Sequence, residues 1–166
     1  KTIDESGTFH FYRHQEMSAS MAKDILRRLK FDNDTIHKVV RLVQFHDYQI
    51  AENKKAVRKA VVKIGEEVFP LLFEIKRADY LAQSEYMRHE KMAYVDHIEE
   101  IYQEVLADHD CLSLKDLQIS GKDLIELGMK PGKEIGVVLE ALLQEVLENP
   151  EKNQREWLLS AVSKRL

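Results

Sequence analysis

Residues 15–30 read QEMSASMAKDILRRLK, and this stretch decides the fold class. Met17, Met21, Ala22, Ile25, Leu26 and Leu29 recur at three- and four-residue spacings, which places them on one side of a helix of 3.6 residues per turn. The same period continues outward. Asp32 or Asn33 is placed to cap a second helix carrying Ile36, Val39, Val40 and Val43 toward His46, because a short side-chain oxygen at that position accepts from the orphan first-turn amides. Asn53 caps a third helix, and Gly65 supplies a left-handed stop. A fourth spans about Glu67 to Ala82, with Pro70 in the first turn, where a missing N–H costs nothing. A fifth spans about Glu85 to Ala107, with Tyr94, Ile98, Ile101, Val105 and Leu106 on its inner side.

Beyond a polar break at Asp108–Leu112 the helices shorten and their caps become explicit. Ser113 pairs with Asp116, Ser120 with Asp123, and Asn153 with Glu156 in the reciprocal capping pattern. A long helix starts near Pro131, and Asn149-Pro150 ends it. The expectation is an all-α fold in two parts, a body over 1–107 and a small helical tail over 108–166, too small to hold a large core of its own.

Composition bounds the function classes. Of 166 residues, 44% are hydrophobic, enough for a core, and only six glycines and three prolines argue against a turn-rich β protein. Cys111 is the sole cysteine, so no internal disulfide forms and a reducing, cytoplasmic setting is expected. No apolar run approaches the roughly 20 residues that cross a bilayer, and residues 1–7 lack a signal-peptide pattern. The start at Lys1 reads as a fragment, a processed product or an expressed piece. A net charge of −4 is unlike the basic excess of most phosphate binders, although a local basic stripe can act within an acidic surface.

Four constellations are candidates for chemistry. His14, His46 and Asp79, with Asp47 beside His46, resemble the histidines and aspartates that HD phosphohydrolases place on separate helices to hold a divalent metal and lower the pKa of its water. The alternative is ordinary hydrogen bonding at helix ends. Two D-x-D pairs, Asp32/Asp34 and Asp108/Asp110, lie on no strand and follow no phosphate loop, so they read as a cap and a polar linker. On the third helix Lys54, Lys55, Arg58, Lys59 and Lys63 crowd one side, where like charges repel and an external anion would relieve them. A solvated face is the competing reading. Last, ISGKDLIELGMKPGKEIG (119–136) is a short helix, a glycine stop and a second helix opening after Pro131-Gly132. Loop amides and a helix N-terminus in such a hairpin face a phosphate, with Lys122, Lys130 and Lys133 adding charge around Gly132. A plain helical corner has the same punctuation.

HFYRHQEMSASMAKDILRRLKF (10–31), RLVQFHD (41–47), EIKRADYLAQS (74–84), the hairpin segment and LLQEVLENP (142–150) occur in one order. Together they resemble the C-terminal half of bacterial CCA-adding tRNA nucleotidyltransferases of the HD-containing kind. That resemblance covers nearly the whole chain. It implies a truncated HD-type helical bundle plus a tail that hold tRNA at its elbow and T arm. The catalytic head, with its Mg2+, CTP and ATP, and the nucleotide-selecting neck would lie upstream of Lys1, leaving no catalytic residue here. His14, His46 and Asp79 match family positions, but the signature histidine-aspartate pair has no counterpart, so the metal set is incomplete. Arg13 stands where the family has glycine. The rival functions are a metal-dependent phosphohydrolase and a structural helical module that docks the head or a second copy of itself.

Overall fold

The computed structural model describes residues 2–3, 9–10 and 14–164, with side chains from 15 to 164. The 2–12 segment apart from its strand pairs, Arg13 and the His14 side chain therefore lie outside the described residues. The architecture is all-α. Eight α-helices are described: α1 (His14–Arg28), α2 (Asn33–Phe45), α3 (Lys54–Ile64), α4 (Phe69–Ala82), α5 (Arg88–Ala107), α6 (Gly121–Glu126), α7 (Lys133–Glu148) and α8 (Arg155–Ser163). Short 3-10 turns occupy Leu114–Asp116 and Pro150–Lys152. The described extended backbone is a minimal antiparallel pair, β1 (Thr2–Ile3) with β2 (Phe9–His10).

The helix boundaries follow local chemistry. Asp32 accepts from the Thr35 amide and hydroxyl, and these bonds hold its carboxyl below the usual range. Asn53 caps α3 through the Ala56 amide at 2.9 Å. Gly65 adopts φ +104° just after α3, a conformation that glycine enters without a Cβ clash. Pro70 sits at the start of α4. Ser120 and Asp123 close a reciprocal capping box at α6.

One expected cap does something else. Asn153 lies two residues before α8, whose N-cap is Gln154, and its side chain does not serve the helix. Instead its amide accepts from the Gln118 N–H and donates to the Asp116 carbonyl, fastening the 150–153 turn to the 114–118 turn. A fixed tertiary neighbour competed for the polar group and won.

The chain forms two compact units. The first holds residues 1–49 and 64–96, the second residues 50–63 and 97–166. This partition differs from a break at 107/108: α3 up to Lys63 joins the second unit, and the other boundary falls inside α5.

In the first unit α1 lies along α2, and Ala19 is its buried residue. The apolar face expected on α1 divides. Ala22 and Leu26 are half-buried beside Ala19, whereas Met17 (65% exposed), Met21 (60%), Ile25 and Leu29 remain exposed as a second stripe. Periodicity placed the stripe on a helix; it had no means of saying which half would be covered. Lys76 is a buried cation of α4. Its ammonium donates to the His46 carbonyl at the end of α2, and burial lowers its pKa.

In the second unit the core is continuous. Leu124 of α6, Leu142, Val146 and Leu147 of α7, and Leu158 and Val162 of α8 are all but fully buried, with Ile119 and Cys111 alongside. Truncating one of these leucines to alanine costs about 2–5 kcal/mol. Val95, Ile98, Ile101, Tyr102 and Val105 of α5 are buried, while Leu106, expected inside, is exposed. Tyr94 is half-buried.

Candidate nucleic-acid interface

The α3 stripe is partnered from within the second unit. Lys54 meets Glu104 at 3.1 Å and Asp108 at 2.7 Å. Lys55 and Lys59 both pair with Glu148 at the end of α7, which drives the Glu148 carboxyl down to about 2. Arg58 is only 6% exposed, and donates from Nε to the Leu147 carbonyl and from Nη1 to Asp110, itself nearly buried. The stripe's mutual repulsion is therefore offset internally. Asp108 and Asp110, read from sequence as linker, are its counterions. The available signal was an acidic pair with no local cap to serve, but its partner lay some fifty residues away. Lys63 sits at the last turn of α3 and is exposed.

The α6–α7 hairpin is built differently. α6 ends in a Schellman motif: the Gly128 amide donates to the Ile125 carbonyl and the Met129 amide to Leu124, with Gly128 at φ +101°. Leu124 and Met129, the residues that this motif brings together, are both buried in the unit's core. Gly121 brings α6 close to α7, since a Cβ there would meet Ile135 Cγ2 at 3.1 Å. Arg155 of α8 pairs with Asp123, and this bond, with those from Ser120, depresses the Asp123 carboxyl to about 2. Thus the loop is held on three sides.

On its outer side Lys122, Lys130, Gly132 and Lys133 are all exposed, with no carboxylate within ion-pairing distance of the lysines among the described side chains. Gly132 is the N-cap of α7 and brings no side-chain oxygen to it; of the first-turn amides, that of Ile135 donates to the Gly132 carbonyl. Exposed Ile125, Leu127 and Val137 adjoin the lysines in sequence.

The HD-type residues gather in the first unit. His46 and Asp79 line a cleft of about 400 Å3 with Ser18, Val39, Leu42, Val43 and Ile75. His46 Nδ1 donates to the Val43 carbonyl at 2.8 Å, turning Nε2 toward Asp47 at 3.3 Å. Asp79 accepts from Gln83. Among the described residues no group of three His, Cys, Asp or Glu side chains is arranged to hold a metal ion. No described helix is long and apolar enough to cross a membrane.

The described fold is all-helical and carries a lysine-flanked helical hairpin, α6–α7, ahead of α8. Residues 8–162 match the family model of tRNA nucleotidyltransferase domain 2, putative, and the chain belongs to that family. Among curated proteins it is similar to the CC-adding tRNA nucleotidyltransferase of Thermus thermophilus, 30% identical over 141 residues, which are 84% of this chain and 30% of the relative. The matched region thus spans less than a third of that relative's length. No solved structure matches the chain.

Proposed function

We propose that this chain is the tRNA-holding part of a tRNA nucleotidyltransferase, and that it positions the RNA for an active site elsewhere in a longer polypeptide. The observation that carries this is the α6–α7 hairpin: three exposed lysines around an uncapped helix start, in a chain of this family. Membership supports tRNA as the substrate, and the relative's printed activity supports addition of cytidines to it. Contacts fall on phosphate and ribose at the elbow and T arm, because lysines and loop amides read RNA shape rather than base sequence. Holding the substrate contributes by removing the entropy of a bimolecular encounter, while Mg2+, CTP and ATP act in the catalytic head reached through a neck. The exposed Met17–Leu29 stripe of α1 supports a role as part of a larger assembly, since apolar stripes of that length seldom face water.

The two basic clusters differ in rank. Lys122, Lys130 and Lys133, with Gly132 between them, are the first RNA contacts. Lys54, Lys55, Lys59 and Lys63 are secondary ones, and the first three reach phosphate only by exchanging carboxylates for it. Arg58 serves the fold. For a metal at the cleft of the first unit the expected ligands are His14, His46 and Asp79; His46 and Asp79 line it, and the His14 side chain is outside the described residues. The phosphohydrolase reading draws no support from the described residues.

Fluorescence anisotropy tests the proposal. The chain is titrated with intact tRNA, a T-arm minihelix and a DNA duplex at two salt concentrations. Both RNAs should bind over DNA, and affinity should fall steeply as salt rises. Absence of RNA binding at low salt would reject a tRNA-holding role for this chain.

A further inference from the structure

A second cleft lies in the same unit as the hairpin, away from its lysines in sequence. It encloses about 290 Å3 and is lined by Glu145 of α7, by Trp157, Ser160 and Ala161 of α8, and by Lys164 at the end of α8. Trp157 is half-buried: it packs against the core of the second unit and also lines the cleft. Lys152, from the turn before α8, places its ammonium 4.9 Å from the indole centroid.

The combination is chemically specific. A tryptophan in a core has both faces filled by aliphatic side chains, but this one borders an open cleft and carries a cation. The lining includes a polar group that suits a heterocycle: the Ser160 hydroxyl donates or accepts. Lys152 and Lys164 supply positive charge for a phosphate on the backbone attached to that heterocycle. A planar ring flanked by cations is how single-stranded bases are held without regard to sequence.

We propose that this cleft binds one unpaired RNA base, stacked on Trp157, with its backbone phosphate shared between Lys152 and Lys164. The inference rests on the RNA-holding reading above and adds to it a demand for an unstacked nucleotide, as found in a loop and absent from a continuous duplex. Ser160 orients the base edge.

Trp157 is the only tryptophan of the chain, so its emission reads this cleft alone. The chain is titrated with a T-arm minihelix that keeps its unpaired loop and with a fully paired RNA duplex of equal charge, following tryptophan emission and the anisotropy of labelled RNA together. The minihelix should quench the emission along the same saturation curve as the anisotropy, and the duplex should not. CMP should quench weakly, and ribose 5-phosphate, which has no base, should not. Lys164→Gln, which leaves the indole and the core in place, should weaken the quenching titration severalfold, and Trp157→Phe should weaken minihelix affinity by up to about tenfold. RNA binding by anisotropy with unchanged emission, or equal quenching by the duplex, would overturn the stacking site and leave the tRNA-holding role intact. Loss of both signals would overturn both.

Discussion

Arg58 shows how a residue read from sequence as a ligand for phosphate becomes a structural tie. Its guanidinium satisfies a carbonyl at the C-terminal end of α7 and a nearly buried carboxylate, so substitution strands both. Arg58→Ala should destabilise the fold by about 3 kcal/mol or more, read as a lower midpoint in urea denaturation, whereas Lys63→Ala at the exposed end of α3 should cost far less. Glu148 adds a pH dependence. Its folded-state pKa, about 2 against an ordinary 4.5, is depressed by Lys55 and Lys59, so the folded form binds its proton less readily than the unfolded chain does. That contribution is fully present above about pH 4.5 and is lost as pH falls toward 2. Asp123 behaves alike between 3.8 and about 2, through Arg155 and Ser120. Denaturation midpoints measured across this window should decline, and Glu148→Gln should flatten the decline; an unchanged slope would mean that the pairs contribute nothing to stability.

At the scale of elements, the α6–α7 hairpin was legible because its signals are local. Ser120 with Asp123 starts α6, Gly128 ends it, and Gly132 precedes α7, each within four residues of its partners. Gly128→Ala should destabilise the chain by about 1 kcal/mol, since alanine resists the positive φ that the Schellman turn requires. Thermal melting with and without RNA would separate that cost from any loss of the loop's shape. Elements that needed distant partners were misread. Asn153 was assigned to the helix after it, yet bonds to residues 116 and 118. α1 was given one apolar face, yet only its Ala19, Ala22 and Leu26 side is covered.

For the whole molecule, binding to RNA has to overcome a net charge of −4, so affinity should come from a few local cations and be strongly salt-dependent. Replacing Lys122, Lys130 and Lys133 together by glutamine should lower RNA affinity and reduce the slope of log affinity against log salt by about one for each lysine that meets a phosphate. The same replacement at Lys54 and Lys55 should change the slope less, because those ammoniums already hold carboxylates whose release opposes the gain. A slope that falls equally for both sets would place the α3 stripe on a par with the hairpin.

By itself the sequence determined the helical class, nearly all helix starts and stops, the hairpin with its lysines, and a family resemblance later matched over residues 8–162. These depend on period, caps and left-handed glycines, which act within one or two turns of chain and so leave a mark in neighbouring letters. Tertiary structure alone decided that α3 up to Lys63 belongs with residues 97–166, that its cations face Glu104, Asp108, Asp110 and Glu148, and that Trp157 borders a cleft rather than filling the core. Ion pairing and burial depend on distance in space, and residues 58 and 147 stand 89 positions apart yet share a hydrogen bond. No pattern along the chain encodes that meeting, because it is created only when the helices pack.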